Sequence, residues 1–216
     1  SGAISFASDN SFAPIIDEEV EMFNIDHPKA KLTAIYTNEQ DSVKMLKEEK
    51  IFLAITSRQY TKNEFNTLKN LGYKSMKSAP IAYDGLALII NRSNPDTCIT
   101  VKDIARILRG EAKKWSDIYP GSKQGDIEVV FDHPKSSTVR YCQDSILGGK
   151  PINSPNIQAV EKSAEVINYV ESTKNAIGII GSNWLNDKRD TTNVTFKKNI
   201  RVMSVSRMET ATPENS

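Results

Sequence analysis

The sequence is short of the residue types from which metal sites and disulfide frameworks are built. Its 216 residues include two cysteines and two histidines. Cys98 and Cys142 lie in different segments without C-x-x-C spacing, so they form neither a metal knuckle nor a disulfide framework. We interpret both as ordinary thiols, and a single bridge between them is much less favoured. The sequence therefore predicts no metal and no cofactor.

An excess of either charge is absent as well, and so is a long apolar run. Lys and Arg number 28 and Asp and Glu 27, which leaves a formal charge of +1 and argues against nucleic acid or a polybasic membrane surface. The longest apolar run, 81–90, is interrupted by Tyr83, Asp84 and Gly85 and is too short to cross a bilayer. The chain opens on a strand-like run without the charged and apolar regions of an export signal.

Strand-like and helix-like segments alternate along the chain. Strands are predicted at 3–7, 31–36, 51–55, 127–131, 176–180 and 200–205, and helices at 13–24, 42–50, 62–71, 101–108, 139–147 and 163–172. The continuous apolar run 51–55 is typical of a buried parallel strand. This alternation predicts an α/β fold in which mostly parallel sheets carry helices on their faces, as one large domain or two small lobes.

Three loops place hydroxyl or amide side chains between the end of a strand and the start of a helix. They are residues 8–11 (SDNS), 37–42 (TNEQDS) and 136–138 (SST). Ligands of open α/β sheets bind at that edge, and the N–H groups of a first helical turn favour an anion. The alternative is an N-cap, which contributes about 1 kcal/mol and no function. Taken singly we favour the cap, and three such loops shift the balance only modestly.

Two arginines follow these strands. Arg58 comes directly after the apolar run, and Arg140 lies in the first turn of the helix after residues 136–138, where a cation opposes the helix dipole. A guanidinium binds an oxyanion with two parallel hydrogen bonds, which makes both residues candidates for anion contact. The alternative is a surface salt bridge, and for Arg140 the two interpretations have equal weight.

Six motifs, taken in order, resemble those of the PstS-like phosphate-binding proteins of ABC transporters. This group belongs to the type II periplasmic binding proteins, and the likeness is to its shorter, Bacteroidetes-type members. The motifs are 8–14 (SDNSFAP), 55–58 (ITSR), 81–91 (IAYDGLALIIN), 108–110 (LRG) followed by Trp115, 132–138 (DHPKSST) and 175–178 (NAIG). The resemblance runs from Ile4 to about Val205 and rests on the order and spacing of the motifs.

The resemblance implies a two-lobed type II periplasmic-binding-protein-like fold with a ligand cleft between the lobes. The first lobe is expected to comprise residues 1–82 plus 200–216 and the second residues 83–199, with the crossing at 83–90. Members of the group continue past the position of Ser216 with a segment that completes the first lobe, so the sequence is expected to be incomplete there. Binding would proceed by closure of the lobes about a hinge.

The same resemblance implies a function and a set of contacts. The chain is expected to capture phosphate or a similar oxyanion for an ABC transporter permease, as a monomer and without catalysis. It is expected in the periplasm or on the outer face of the membrane, with lipid anchoring as one option. The predicted ligand-binding residues are Ser11, Phe12, Asn38, Thr56, Arg58, Ser136, Ser137, Thr138 and Arg140.

Three positions depart from the pattern of the group. Residues 38–40 (NEQ) stand where the group has Gly-Ser-Ser, which brings a carboxylate near the anion site. Thr56 stands where the group has the aspartate that accepts the phosphate's proton, and Asp132 stands where it has an arginine. Arg58 and Arg140 are candidates to replace the lost positive charge. Otherwise the ligand is a different oxyanion, or an uncharged or cationic solute that contacts Asp9, Glu39 and Asp132.

Two other classes of function stay open at this point. A sensor or adhesion module of the same fold, with an altered or lost ligand, would also carry these departures. A hydrolase is less favoured, because His27 and His133 each lie beside a proline and neither is accompanied by a second histidine or a cysteine.

Overall fold

The computed structural model describes residues 2–72, 77–81, 84–186 and 199–215. The chain divides into two compact units. Unit 1 comprises residues 1–84 and 135–137, and unit 2 comprises residues 85–134 and 138–216. Within the described ranges, no helix combines the length and the apolar character needed to cross a bilayer.

Unit 1 is built on a three-stranded parallel sheet. Its strands are β1 (Gly2–Asp9), β2 (Ala30–Thr37) and β3 (Ala54–Ile55), in the order β2-β1-β3. Helices follow them in turn: α1 (Ala13–Asp26), α2 (Glu39–Lys47) and α3 (Lys62–Asn70). Because the strands are parallel, the loops after all three strands lie at the same edge of the sheet.

The apolar run 51–55 forms a shorter strand than predicted. Ile51 is buried in a small core with Ala7, Leu46 and Leu68, but Phe52 and Leu53 are 76% and 53% exposed. The prediction of a continuously buried strand was wrong, because β3 comprises only Ala54–Ile55 and the exposed Phe52 and Leu53 precede it.

Unit 2 contains a mixed five-stranded sheet and a two-stranded sheet. The larger sheet has the order β7-β6-β8-β4-β9, and its strands are β4 (Leu86–Asn91), β6 (Glu128–Phe131), β7 (Ile157–Ala159), β8 (Ala176–Gly181) and β9 (Ile200–Val202). β6 runs parallel to β7 and β8, whereas β4 runs antiparallel to β8 and β9. The smaller sheet pairs β5 (Cys98–Thr100) with β10 (Ser204–Ser206).

Helices pack on the larger sheet and bury its apolar side chains. They are α4 (Val101–Leu108), α5 (Ser137–Tyr141), which continues as a π-helical turn (Cys142–Ile146), and α6 (Ser163–Ser172). One core contains the fully buried Trp115, whose Nε1 donates to Asn175 O at 2.9 Å. A second core lies between the sheet and α6, where Gly178 leaves room for the side chains of Val166 and Val170.

The predicted division of the chain requires a correction. Residues 200–216 belong to unit 2 and not to the first lobe, because β9 pairs with β4 and buries Ile200 in the core of unit 2. Residues 135–137 group instead with unit 1. The predicted boundary between residues 82 and 83, and with it Tyr83 at the start of the crossing, lies outside the described residues.

Candidate functional site

The loop after β1 leads into α1 through a short 3₁₀ turn, Asn10–Phe12. Asp9 Oδ1 accepts a hydrogen bond from the Ser11 N–H at 2.9 Å, which caps this turn. Phe12 is the N-cap of α1 and makes no side-chain cap bond. The start of α1 therefore differs from the starts of α2 and α3, whose N-cap side chains accept a backbone hydrogen bond. The Ala13 N–H donates to Asn10 O and Pro14 has no N–H, so what this start offers an anion is chiefly the positive end of the helix dipole.

Two of the predicted loops meet in unit 1. The Oγ atoms of Ser11 and Ser137 lie 3.1 Å apart, and either hydroxyl can be the donor. The two residues are 2% and 5% exposed, and the neighbouring Ser136 is buried as well. The structure thus brings the hydroxyl groups of Ser11 and Ser137 together at a buried position of unit 1.

Asn38, predicted as a contact in the second loop, serves as the N-cap of α2. Its Oδ1 accepts a hydrogen bond from the Asp41 N–H at 2.9 Å, and its Nδ2 donates to Asp41 Oδ2 at 2.7 Å. Both ends of the amide are therefore used within the helix start. This is the capping role that the sequence left open beside the ligand role, which stays a prediction.

A cluster of one arginine and two glutamates joins the loops after β2 and β3. Glu39 is 2% exposed; its Oε1 accepts a hydrogen bond from Ser57 Oγ at 3.0 Å, and its Oε2 lies 3.7 Å from Arg58 Nε. Arg58 Nη1 and Nη2 donate to the two carboxylate oxygens of Glu64, each at 2.8 Å. We call this group the Glu39–Arg58–Glu64 cluster.

The cluster compensates the charge of Arg58. The paired hydrogen bond from Arg58 lowers the pKa of Glu64 to about 2, and the same bond raises the pKa of Arg58. Two carboxylates against one guanidinium leave a formal charge of −1. The neighbouring Thr56 uses its hydroxyl proton within the turn, donating to Arg58 O at 2.8 Å. Arg58 is therefore tied to protein carboxylates, and its predicted ligand contact stays a prediction.

In unit 2 the end of β6 carries a buried carboxylate, Asp132. Thr138 Oγ1 donates to Asp132 Oδ1 at 2.6 Å, and both residues are buried. Arg140 lies on α5 with its Nη1 at 3.5 Å from Asp144 Oδ2, which is the ion pair that the sequence left open beside anion contact. Burial, and secondarily the charge of Asp132, raises the pKa of the Cys142 thiol to about 12.

The sequence analysis did not identify Ser57 and Glu64 as neighbours of Glu39 and Arg58 at the edge of the unit 1 sheet. Glu64 carries a signal that can be found in the sequence, because Thr61 and Glu64 have the spacing of a capping box and form one at the start of α3. That spacing explains the helix start but not the bond to Arg58. Across the part of the chain that the structure describes, no group of three or more His, Cys, Asp or Glu side chains is arranged to hold a metal ion.

Known proteins resemble this chain in sequence, and solved structures resemble it in fold. The family described as PBP superfamily domain matches residues 1–215. The phosphate-binding protein PstS of Borreliella burgdorferi is 24% identical over 208 residues, which cover 94% of this chain and 69% of that protein. Protein SphX of Synechococcus elongatus is 23% identical over 180 residues, which cover 82% of this chain and 53% of that protein.

A solved structure extends the similarity to the coordinates. A putative phosphate ABC transporter substrate-binding protein from Clostridium perfringens, with bound phosphate, has a TM-score of 0.73 and 24% identity, covering 99% of this chain and 79% of that one. The predicted type II fold and the resemblance to the PstS-like group are thereby confirmed. This chain belongs to the PBP superfamily domain family.

Proposed function

We propose that this chain is an extracytoplasmic solute-binding protein that captures a small oxyanion, inorganic phosphate in the first place, for an ABC transporter. The observation that carries the proposal is the 3.1 Å contact between the Ser11 and Ser137 hydroxyls beside the start of α1, whose N-cap residue Phe12 makes no side-chain cap bond. The names of the relatives, which include a phosphate-binding protein and a phosphate transporter component, support the same ligand.

The chemistry of this edge suits an anion that is held by neutral donors. A tetrahedral oxyanion offers several acceptor oxygens, so the Ser11 and Ser137 hydroxyls can each donate to it in place of donating to one another. The positive end of the α1 dipole favours negative charge at the same place. Binding of this kind does not need a free arginine, which fits the pairing of Arg58 with Glu64.

We further propose that the chain binds without catalysing a reaction and acts as a monomer on the outer side of the membrane. Ser137 would be the nucleophile to consider, but the partner of its hydroxyl is another serine hydroxyl, which is no general base. Turnover of a generic phosphoester that disappears in His133→Ala would contradict this proposal and favour a hydrolase.

Isothermal titration calorimetry with phosphate, arsenate and sulfate tests the binding function. We expect a dissociation constant for phosphate on the order of micromolar, which corresponds to about 8 kcal/mol of binding free energy. Ser11→Ala should weaken phosphate binding at least tenfold, whereas Ser5→Ala, at an exposed position on the preceding strand β1, should leave it unchanged. Absence of binding to all three oxyanions would overturn the proposal and favour a sensor or adhesion module.

The ratio of phosphate to sulfate affinity tests the role of Thr56. Members of the group that retain an aspartate at this position use it to accept the proton that phosphate has and sulfate lacks. Thr56 donates its hydroxyl proton to Arg58 O, which leaves its oxygen as a neutral acceptor that is weaker than a carboxylate and does not repel sulfate, so discrimination should be weaker than in those members. Strong discrimination in a competition titration would show that another acceptor faces the ligand.

A further inference from the structure

The Glu39 carboxylate lies at the centre of the binding edge of unit 1. Glu39 follows β2 and Ser57 follows β3, and these strands flank β1 on opposite sides. Adjacent strands are about 4.8 Å apart, so β2 and β3 are separated by about 10 Å. The 3.0 Å hydrogen bond from Ser57 Oγ to Glu39 Oε1 therefore crosses over the end of β1, where the loop with Asp9 and Ser11 begins.

Glu39 uses the kinds of donor that a bound oxyanion would use. Its carboxylate accepts the Ser57 hydroxyl and faces the Arg58 guanidinium at 3.7 Å, and it occupies the first position of α2, where the helix dipole favours negative charge. Glu39 is 2% exposed, so solvent hardly reaches its carboxylate. The loops after β2 and β3 thus already hold an anion that belongs to the protein.

We propose that Glu39 is an internal competitor of the ligand, which lowers the affinity of the site for oxyanions and limits the negative charge that the site accepts. The inference rests on the proposed function and deepens it, because it names the residue that sets affinity at the same edge. The donors left to the ligand are those of the α1 start and of residues 135–137. Removal of the Glu39 charge weakens its hold on the Ser57 hydroxyl, because a hydrogen bond to a neutral amide is about half as strong as one to a carboxylate, and it releases the Nε side of Arg58 for the ligand.

The first experiment compares Glu39→Gln with Glu64→Gln by calorimetry with phosphate and sulfate. Each substitution removes one of the two negative charges that face Arg58. Glu64 accepts hydrogen bonds from Nη1 and Nη2 of Arg58, whereas Glu39 faces its Nε. Glu39→Gln should raise the affinity for phosphate and for sulfate at least tenfold, and by several times more than Glu64→Gln does. Unchanged or weaker binding in Glu39→Gln, or an equal gain in Glu64→Gln, overturns the proposal.

A double-mutant cycle with Ser57→Ala shows whether freed donors produce the gain. In the otherwise unchanged protein Ser57 donates to Glu39, so Ser57→Ala alone should weaken phosphate binding less than it does in the Glu39→Gln background. In the Glu39→Gln background the same substitution should remove most of the gain. A gain that survives Ser57→Ala contradicts the proposed competition for donors.

The outcomes separate this inference from the proposed function. If the unchanged protein binds phosphate and Glu39→Gln binds it no more tightly, the inference fails and the function stands. If neither protein binds phosphate, arsenate or sulfate, the function fails as well. Should Glu39→Gln not fold, as judged by circular dichroism, Glu39→Asp withdraws the carboxylate by one methylene; a smaller gain in affinity supports the inference, and no gain overturns it.

Discussion

Ser11 and Ser137 share a hydrogen bond of 3.1 Å although 126 positions separate them in the sequence. Ser11 follows the central strand of unit 1, and Ser137 is the last residue of the short segment Lys135–Ser137 that belongs to the same unit. Both side chains are small, so the contact leaves little room for a larger group. A substitution at either position therefore tests the site directly.

Ser137→Glu should abolish phosphate binding. The longer acidic side chain would fill the space beside Ser11 and place a negative charge where the ligand is expected. Calorimetry with phosphate measures the effect, with Ser145→Glu, an exposed position on the π-helical turn, as the matched control. Unchanged affinity in a folded Ser137→Glu protein would remove this loop from the site.

Protonation of Glu64 should make unit 1 less stable in acid. Its pKa is lowered from 4.5 to about 2 by the bond to Arg58, so its contribution is complete above pH 4.5 and is lost as the pH falls toward 2. Because the pair is partly exposed, we expect Glu64→Gln to cost about 1 kcal/mol at pH 7. Melting temperatures of Glu64→Gln should then fall less between pH 4.5 and pH 2 than those of the unchanged protein.

Glu18→Gln, an exposed position on α1, is the control for this acid effect. Its melting profile should follow that of the unchanged protein at every pH. Parallel profiles for all three proteins would mean that the Arg58–Glu64 pair contributes nothing measurable to folding.

Gly110→Ala should destabilise unit 2 by more than the cost of its backbone conformation. Gly110 has φ +76°, and a Cβ there would lie 2.3 Å from Asn153 O. Gly121→Ala is the matched control, because Gly121 has φ +89° with open space around the Cβ position. We expect about 1 kcal/mol for Gly121→Ala and about 3 kcal/mol for Gly110→Ala in urea unfolding. Equal losses would show that Asn153 moves aside at no cost.

Cys142 should not react with thiol reagents in the folded protein. It is fully buried, and burial raises its pKa to about 12, so the thiolate is scarce at pH 8. Under native conditions Ellman's reagent should react with no thiol other than Cys98. In 6 M guanidinium it should react with two thiols, because the sequence has two cysteines and both are free. Two fast-reacting native thiols would contradict the burial of Cys142.

Local patterns were enough to predict several elements. The helices predicted at 101–108 and 163–172 coincide with α4 and α6, because each carries a clear apolar period and a defined stop. The order of strands and helices also followed from the sequence. The loops at strand ends could also be predicted as candidate binding loops, because a strand, a polar segment and a helix start follow one another within a few residues.

Contacts between distant segments could not be predicted in this way. β5 and β7 are three residues long, too short to show a period, and their partners lie far along the chain. Residues 200–216 were assigned to the wrong unit because nothing local in Ile200–Val202 indicates that they pair with β4. The bond of Arg58 with Glu64 likewise depends on how the turn between them folds.

The small core of unit 1 bears on how ligands are best detected. Its described apolar cluster is centred on four buried residues, Ala7, Leu46, Ile51 and Leu68, while unit 2 has two larger clusters. Unit 1 should therefore be the first to melt on heating. A solute held by Ser11 and Ser137 would stabilise unit 1, the less stable of the two units. A fluorescence-based thermal screen should therefore show it as a higher melting temperature for the first of two transitions.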